Sequence, residues 1–209
     1  MTDDTDLVTA GDVLAAVASV ADALAAAAGN DDLWDAQAGD LEWSCRHTLG
    51  HVVDCLVWYG ANLARESTGF IEVPEMAPTA AAPILVDALR SGGALLAAAV
   101  RAARPDQRGF HPFGIADRSG FAAMGCDEVL VHGVDLAAGL GVEYVPPADV
   151  CARVARRLFP WAPTDSAPWP ALLWANGRSA LGDLQPERRW LWHCAPLAEW
   201  DGRPRHMPG

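Results

Sequence analysis

Lysine is absent: all fifteen basic residues are arginine, set against 27 Asp and Glu, and the formal net charge is −12. Schiff-base chemistry on a lysine amine and the lysine-bearing phosphate loop are thereby excluded. The same balance argues against nucleic acid as a partner, because affinity for a phosphate backbone rests on clustered positive charge. Cysteine pairs are also missing. Cys45, Cys55, Cys126, Cys151 and Cys194 are odd in number and scattered, with no C-x-x-C, and read as reduced, buried thiols. Apolar runs are Ala-rich and broken by charge, short of the roughly 18 uninterrupted residues of a membrane span. The acidic start, MTDDTDLVTAGD, lacks the basic segment of a secretory signal, so the expected setting is cytoplasmic. H-E-x-x-H, G-x-G-x-x-G, G-x-S-x-G and the paired E-x-x-H of di-iron bundles are all absent.

What is present is apolar and helical. At 209 residues and 51% hydrophobic, the chain can bury the core of one domain with a small appendage. Apolar spacing predicts a helix capped by Thr9 or Asp12 and running to about Ala28, and a second from Cys45 to Arg65 behind the N-cap Ser44. A third spans about Ala80 to Ala103, where Ser91, Gly92 and Gly93 in its middle either weaken it or let a neighbour approach closely. A fourth covers Gly120 to Gly141, capped by Asp117 or Ser119, and a fifth Ala148 to Phe159. Between the third and fourth lies an expected loop, Arg104 to Arg118. Six of the nine tryptophans follow Pro160, where 171–174 and 189–192 read as strands of a hairpin and 201–209 as a loose tail. The expected architecture is all-α: a four-helix bundle over residues 1–145, with an extra helix and a small C-terminal β-hairpin over 146–209 packed on it.

The fourth helix carries the chemistry. It is apolar nearly all round, as buried helices are, yet Glu128, His132 and Asp135 fall at i, i+4 and i+7 on one stripe. A buried carboxylate stacked on an imidazole is costly unless compensated, and a divalent metal compensates both. On the second helix, His47, His51, Trp58 and Asn62 form a row opposite the core face; it reads equally as a solvated face or as a source of ligands. His51 with Glu128 and His132 would leave an open coordination position, the catalytic arrangement of zinc, though iron or nickel suits the same donors. Asp135 is expected behind a ligand, and His47 beside the site or as an alternative ligand. Trp43, Trp58 and Phe121 are candidates for the pocket wall, with His111 and Phe113 overhanging it. His193 and His206 are expected to play no part.

Three stretches resemble the mycothiol-dependent maleylpyruvate isomerase family, within the DinB-like bundle superfamily. They are LEWSCRHTLGHVVDCLVW, DEVLVHGVDLAAGLG and ALLWANGRSAL…WLWHCAPLAEWDG. By position, the resemblance implies His51, Glu128 and His132 as ligands of zinc or a similar divalent ion. It further implies a low-molecular-weight thiol, mycothiol in actinobacteria, acting on a small electrophilic substrate by S-transfer or cis–trans isomerisation. Two alternatives stand beside it: a metal-dependent hydrolase or tailoring enzyme using no thiol, and a metal- or ligand-binding protein without catalysis. The chain departs from many relatives at Gly125, where they carry Arg three residues before the ligand Glu. The expected partners are thus a small substrate and a thiol, with neither nucleic acid nor membrane, and the expected state is monomer or homodimer.

Overall fold

Thr9 opens the first helix with a reciprocal cap: its hydroxyl accepts from the Asp12 amide, and the Asp12 carboxylate accepts from the Thr9 amide at 2.8 Å. In the computed structural model, which describes residues 8–207, the chain is mostly helical, six α-helices packed together with one two-stranded antiparallel hairpin. Residues 1–7 and 208–209, most of the acidic start among them, lie outside the described residues. The helices are α1 Ala10–Leu24, α2 Cys45–Arg65, α3 Ala82–Ala102, α4 Arg118–Leu140, α5 Ala148–Leu158 and α6 Pro168–Ala175. α1 stops earlier than its periodicity suggests, because residues 25–29 tighten into turns.

Around the bundle the order is α1, α3, α2, α4, with α5 packed on α4 and α6 on α5. The expected core face of α2, Leu49, Val52, Val53, Leu56 and Leu63, is buried throughout. Gly92 and Gly93 act as read: a Cβ on Gly93 would stand 2.6 Å from Val17, so α1 seats directly on the α3 backbone. By length and composition alone α3 is apolar enough to cross a membrane, although charge interrupts its apolar run as expected. In the fold its apolar face is instead consumed between α1 and α2, and Asp87, Arg90 and Arg101 lie along it.

The hairpin sits elsewhere than expected. Residues 104–118 are not simply a loop: β1 Arg108–His111 pairs with β2 Gly114–Asp117, and Asp117 then caps α4 by accepting from the Gly120 amide at 2.6 Å. β1 lies against α2 so closely that a Cβ on Gly109 would stand 2.7 Å from the Asn62 carbonyl oxygen. Residues 171–174 form part of α6 rather than a strand; Pro168 starts the helix, and Ala171, Leu172 and Leu173 favour its continuation. Residues 189–192 form no strand either: Arg189 is a bend with a φ of 58°, Trp190 makes only an isolated bridge with His206, and the partner of this stretch is the C-terminal segment. Leu191 N–H donates to the Arg205 carbonyl at 2.8 Å and Met207 N–H to that of Arg189 at 2.7 Å, so the expected loose tail is tied down through residue 207.

A close backbone approach to α4 is made at Gly139, where a Cβ would collide with the Gln37 carbonyl and with Cys45 Sγ. Gly139→Ala should lower the melting temperature by about 3–10 °C, the cost of over-packing a fixed backbone contact. Gly29→Ala, with nothing within 4 Å of its Cβ, should leave it unchanged. Thermal denaturation of the two variants checks the pair.

Candidate metal centre

α4 is buried nearly all round, and its polar stripe faces α2. Three successive turns of α2 answer it with His51, Cys55 and Tyr59. His51 Nε2 stands 3.6 Å from Glu128 Oε2 and His132 Nε2 3.4 Å from the same oxygen. Tyr59 donates its hydroxyl proton to the other carboxylate oxygen, Oε1, at 3.0 Å. Behind His132, Asp135 Oδ2 lies 3.1 Å from Nδ1, and Arg178 grips Asp135 through Nε at 3.2 Å and Nη2 at 2.9 Å. The structure therefore brings His51, Glu128 and His132 together, with Asp135 supporting His132.

These separations bear on whether a cation fits. Both histidine contacts are longer than the roughly 2.7–3.2 Å of an N–H···O hydrogen bond. The His132 contact equals the roughly 3.3–3.4 Å between neighbouring ligand atoms on a tetrahedral zinc with bonds of about 2.0–2.1 Å, and the His51 contact is slightly longer. Cys55 is a further donor: its Sγ is 3.5 Å from His51 Nε2, and His51, Cys55 and Glu128 place one ligand atom each within 4.8 Å of one another. His51, Cys55 and Glu128 are thus the set that could hold a divalent cation; His132 approaches the same Glu128 oxygen but is not a member of that set.

The electrostatics run the same way. Burial works to raise the Glu128 carboxyl, but His132 and His51 beside it hold it well below the usual range. Burial works to lower the His132 imidazole, but Asp135 and Glu128 outweigh it and raise it to about 9. The Cys55 thiol and the Tyr59 phenol are both pushed up, first by burial and then by the Glu128 charge.

Above the cluster opens a cavity of about 450 Å³ that Trp58, His111 and Phe113 line, as expected of them. Phe121 does not line it; it is fully buried one layer below, its ring 6.1 Å from that of Tyr59. Trp43 does not either: it stands edge-on to His51 at 5.1 Å and stacks on His47 at 4.6 Å, which leaves His47 exposed and away from the cluster. His193 is buried against the Pro196 carbonyl, and His206 pairs with Glu187 at 2.7 Å. Sequence reasoning missed Tyr59 and took Cys55 as a reduced, buried thiol, although H-x-x-x-C-x-x-x-Y is a one-turn spacing. It also missed the C-terminal contribution. Asp127, fully buried beside Glu128, accepts from Asn176 Nδ2 and Trp192 Nε1, each at 2.9 Å. Asn176, Arg178, Trp190 and Trp192 all reach the cavity, and no local spacing announces a contact made across more than forty residues.

A family model described as the mycothiol maleylpyruvate isomerase N-terminal domain matches residues 13–137, more than half of the chain. No curated protein and no solved structure matches.

His132→Ala should lower metal affinity by more than about tenfold, since even removing a support behind a ligand costs 10–100-fold. His193→Ala and His206→Ala should leave the metal content unchanged; elemental analysis of the three variants decides. With His132 raised to about 9, its imidazole is protonated at neutral pH in the metal-free protein. Binding one ion at pH 7 should therefore release about one proton, and affinity should climb as pH rises toward 9. Titration calorimetry in two buffers of different ionisation enthalpy reads that release.

Proposed function

For a chain that belongs to the mycothiol maleylpyruvate isomerase N-terminal domain family, we propose a divalent-metal-dependent enzyme that uses a low-molecular-weight thiol of the mycothiol kind. It transfers the sulfur to a small electrophile or isomerises one through reversible addition. The observation that carries this is the convergence of two imidazole Nε2 atoms on one carboxylate oxygen, at 3.4 and 3.6 Å, on the floor of a largely apolar cavity. Zinc is the ion the donors suit first, with nickel or iron compatible.

A divalent ion held by His51, Glu128 and His132 would supply the stabilisation that turns an arriving thiol into a thiolate. The chain's own residues prepare the rest. Tyr59 pins Oε1 of Glu128, which turns Oε2 toward both histidines. In the liganding tautomer, Asp135 accepts the Nδ1 proton of His132, which leaves the Nε2 lone pair for a ligand bond, and Arg178 keeps Asp135 in place. The cavity walls exclude water from the sulfur and the electrophile. In transfer, a sulfur–carbon bond forms while the bonding pair departs with a halide or an opened epoxide oxygen. In isomerisation, sulfur adds to a cis double bond conjugated with a carbonyl, the resulting single bond rotates, and expulsion of the thiolate restores the alkene. A reducing cytoplasm, the setting proposed, would keep such a thiol and the five free cysteines reduced.

One observation favours a second reading. If Cys55 binds the ion together with His51, Glu128 and His132, four protein ligands close the site, and the protein is a metal-binding module without catalysis. Cobalt separates the two. The cobalt-loaded protein should show no sulfur-to-cobalt charge-transfer absorption until a thiol is added, and should gain it then. A band present without thiol and lost in Cys55→Ser would establish the closed site and overturn the enzyme reading.

A further inference from the structure

The cavity wall is a connected set of rings. His111 is its hub, with ring centroids 5.0 Å from Phe113, 5.6 Å from Trp192, 5.7 Å from Tyr59 and 5.9 Å from Trp58. Trp58 passes the contact on to Phe70 at 5.6 Å, and Trp192 to Trp190 at 5.6 Å. Offset and edge-to-face contacts of this kind favour a planar ring as guest.

Charge points the same way. Asp54, Glu75, Asp127 and Glu128 all line the cavity. Among the described residues that line it, Arg178 is the one arginine, and its guanidinium is already committed to the Asp135 carboxylate and the Asn176 carbonyl. Burial pushes the His111 imidazole down to about 4, so it is neutral at physiological pH. A dicarboxylate such as maleylpyruvate would enter a space with four acidic side chains and no uncommitted arginine. A bound divalent ion or the His132 imidazole could receive one carboxylate at the Glu128 end, but the rest of the lining offers no cation for a second.

His111 also offers a directed polar contact. Its Nδ1 accepts the Phe113 amide proton at 3.1 Å and faces the Cys194 thiol at 3.7 Å, so Nδ1 carries no proton of its own. The proton of the neutral ring is therefore on Nε2, for which the described residues supply no acceptor, and His111 lines the cavity. An acceptor on a guest can take that N–H and so fix the guest's orientation.

We infer that the cavity takes an uncharged, planar aromatic molecule bearing a carbonyl-type acceptor, its ring held by Phe113, Trp58 and Trp192 and its acceptor by the Nε2 proton of His111. This rests on reading the cavity as the substrate site of the proposed enzyme; it departs from the dicarboxylate for which the family is described.

The test uses para-fluoroacetophenone, observed by fluorine NMR with the zinc-loaded protein. Its line should broaden on binding, and acetophenone should restore the sharp line while maleate at the same concentration should not. His111→Phe, which keeps a ring and removes the donor, should weaken binding by about fivefold to tenfold, and His111→Gln, which restores an N–H, by no more than about twofold. Phe113→Leu, an apolar replacement at a half-buried position, should weaken it by about fivefold and carries the test if the His111 variants do not fold. The inference is overturned if maleate competes as well as acetophenone, if the ketone does not bind, or if Phe113→Leu and His111→Phe bind it unchanged. Metal content and thiol binding are measured on the same samples. A ketone that binds normally to protein unable to take up thiol would overturn the enzyme reading and leave this inference standing.

Discussion

Glu128 is a carboxylate inside a helix with almost no surface for water, and the architecture around it answers that one cost. Its side chain is 11% exposed, yet it is held ionised because α2 delivers His51 and Tyr59 to it while α4 itself delivers His132 one turn on. An isolated buried carboxylate would take up a proton instead. The diagonal order of the bundle follows from the same requirement: α2 and α4 must be neighbours along their polar stripes, with α1 and α3 closing the apolar sides. The glycines of α3 and α4 let those neighbours approach closely enough for side chains of ordinary length to meet.

Much of this is legible from spacing alone. Capping residues and apolar periodicity locate α1 to α5 to within a few residues, because long amphipathic helices state their faces repeatedly. Glu128 and His132 stand out because charge within an otherwise apolar helix demands a partner. What spacing does not state is which of two short apolar runs becomes a strand. Ala171 to Trp174 is compatible with either, and the prolines ahead of it decide for helix only once α5 offers a surface to pack on. The 108–117 hairpin is hidden for a different reason: four-residue strands carry too little alternation to be read, and this one is held by its contact with α2. The sequence-based pocket wall was mixed. Trp58, His111 and Phe113 belong to it, whereas Phe121 lies on the right stripe but one layer too deep.

The residues after 145 are bound to the bundle by polar contacts of unusual depth. Asp127 is fully buried, and burial raises its carboxyl to about 7 even though Asn176 and Trp192 both donate to it. Arg157, also buried, donates to Asp117 at 2.7 Å and to the His193 and Cys194 carbonyls at 2.9 and 3.0 Å. Removing either hub would strand donors or acceptors in the core, a larger loss than the bond itself contributes. Two of these contacts fall beside the functional cluster: Asp127 precedes Glu128 in the chain, and Arg178 orients the carboxylate behind His132. The region outside the family match therefore completes the candidate centre, in addition to covering it.

Gly125 shows how the layer beneath the cluster fits the same logic. The resemblance to the family leads to the expectation of an arginine there, three residues before Glu128 on the same helical face. In this chain the space is filled from α3 and α2: a Cβ at Gly125 would collide with Leu96 and stand 3.2 Å from Leu56. A guanidinium at that position could pair with the carboxylate from below. Without it, the positive partners of Glu128 come from the two imidazoles and from whatever cation they hold. Arg178 above the cluster is likewise committed, to Asp135 and the Asn176 carbonyl, and the rest of the cavity wall is mainly aromatic, with Asp54, Glu75 and Asn176 among the rings.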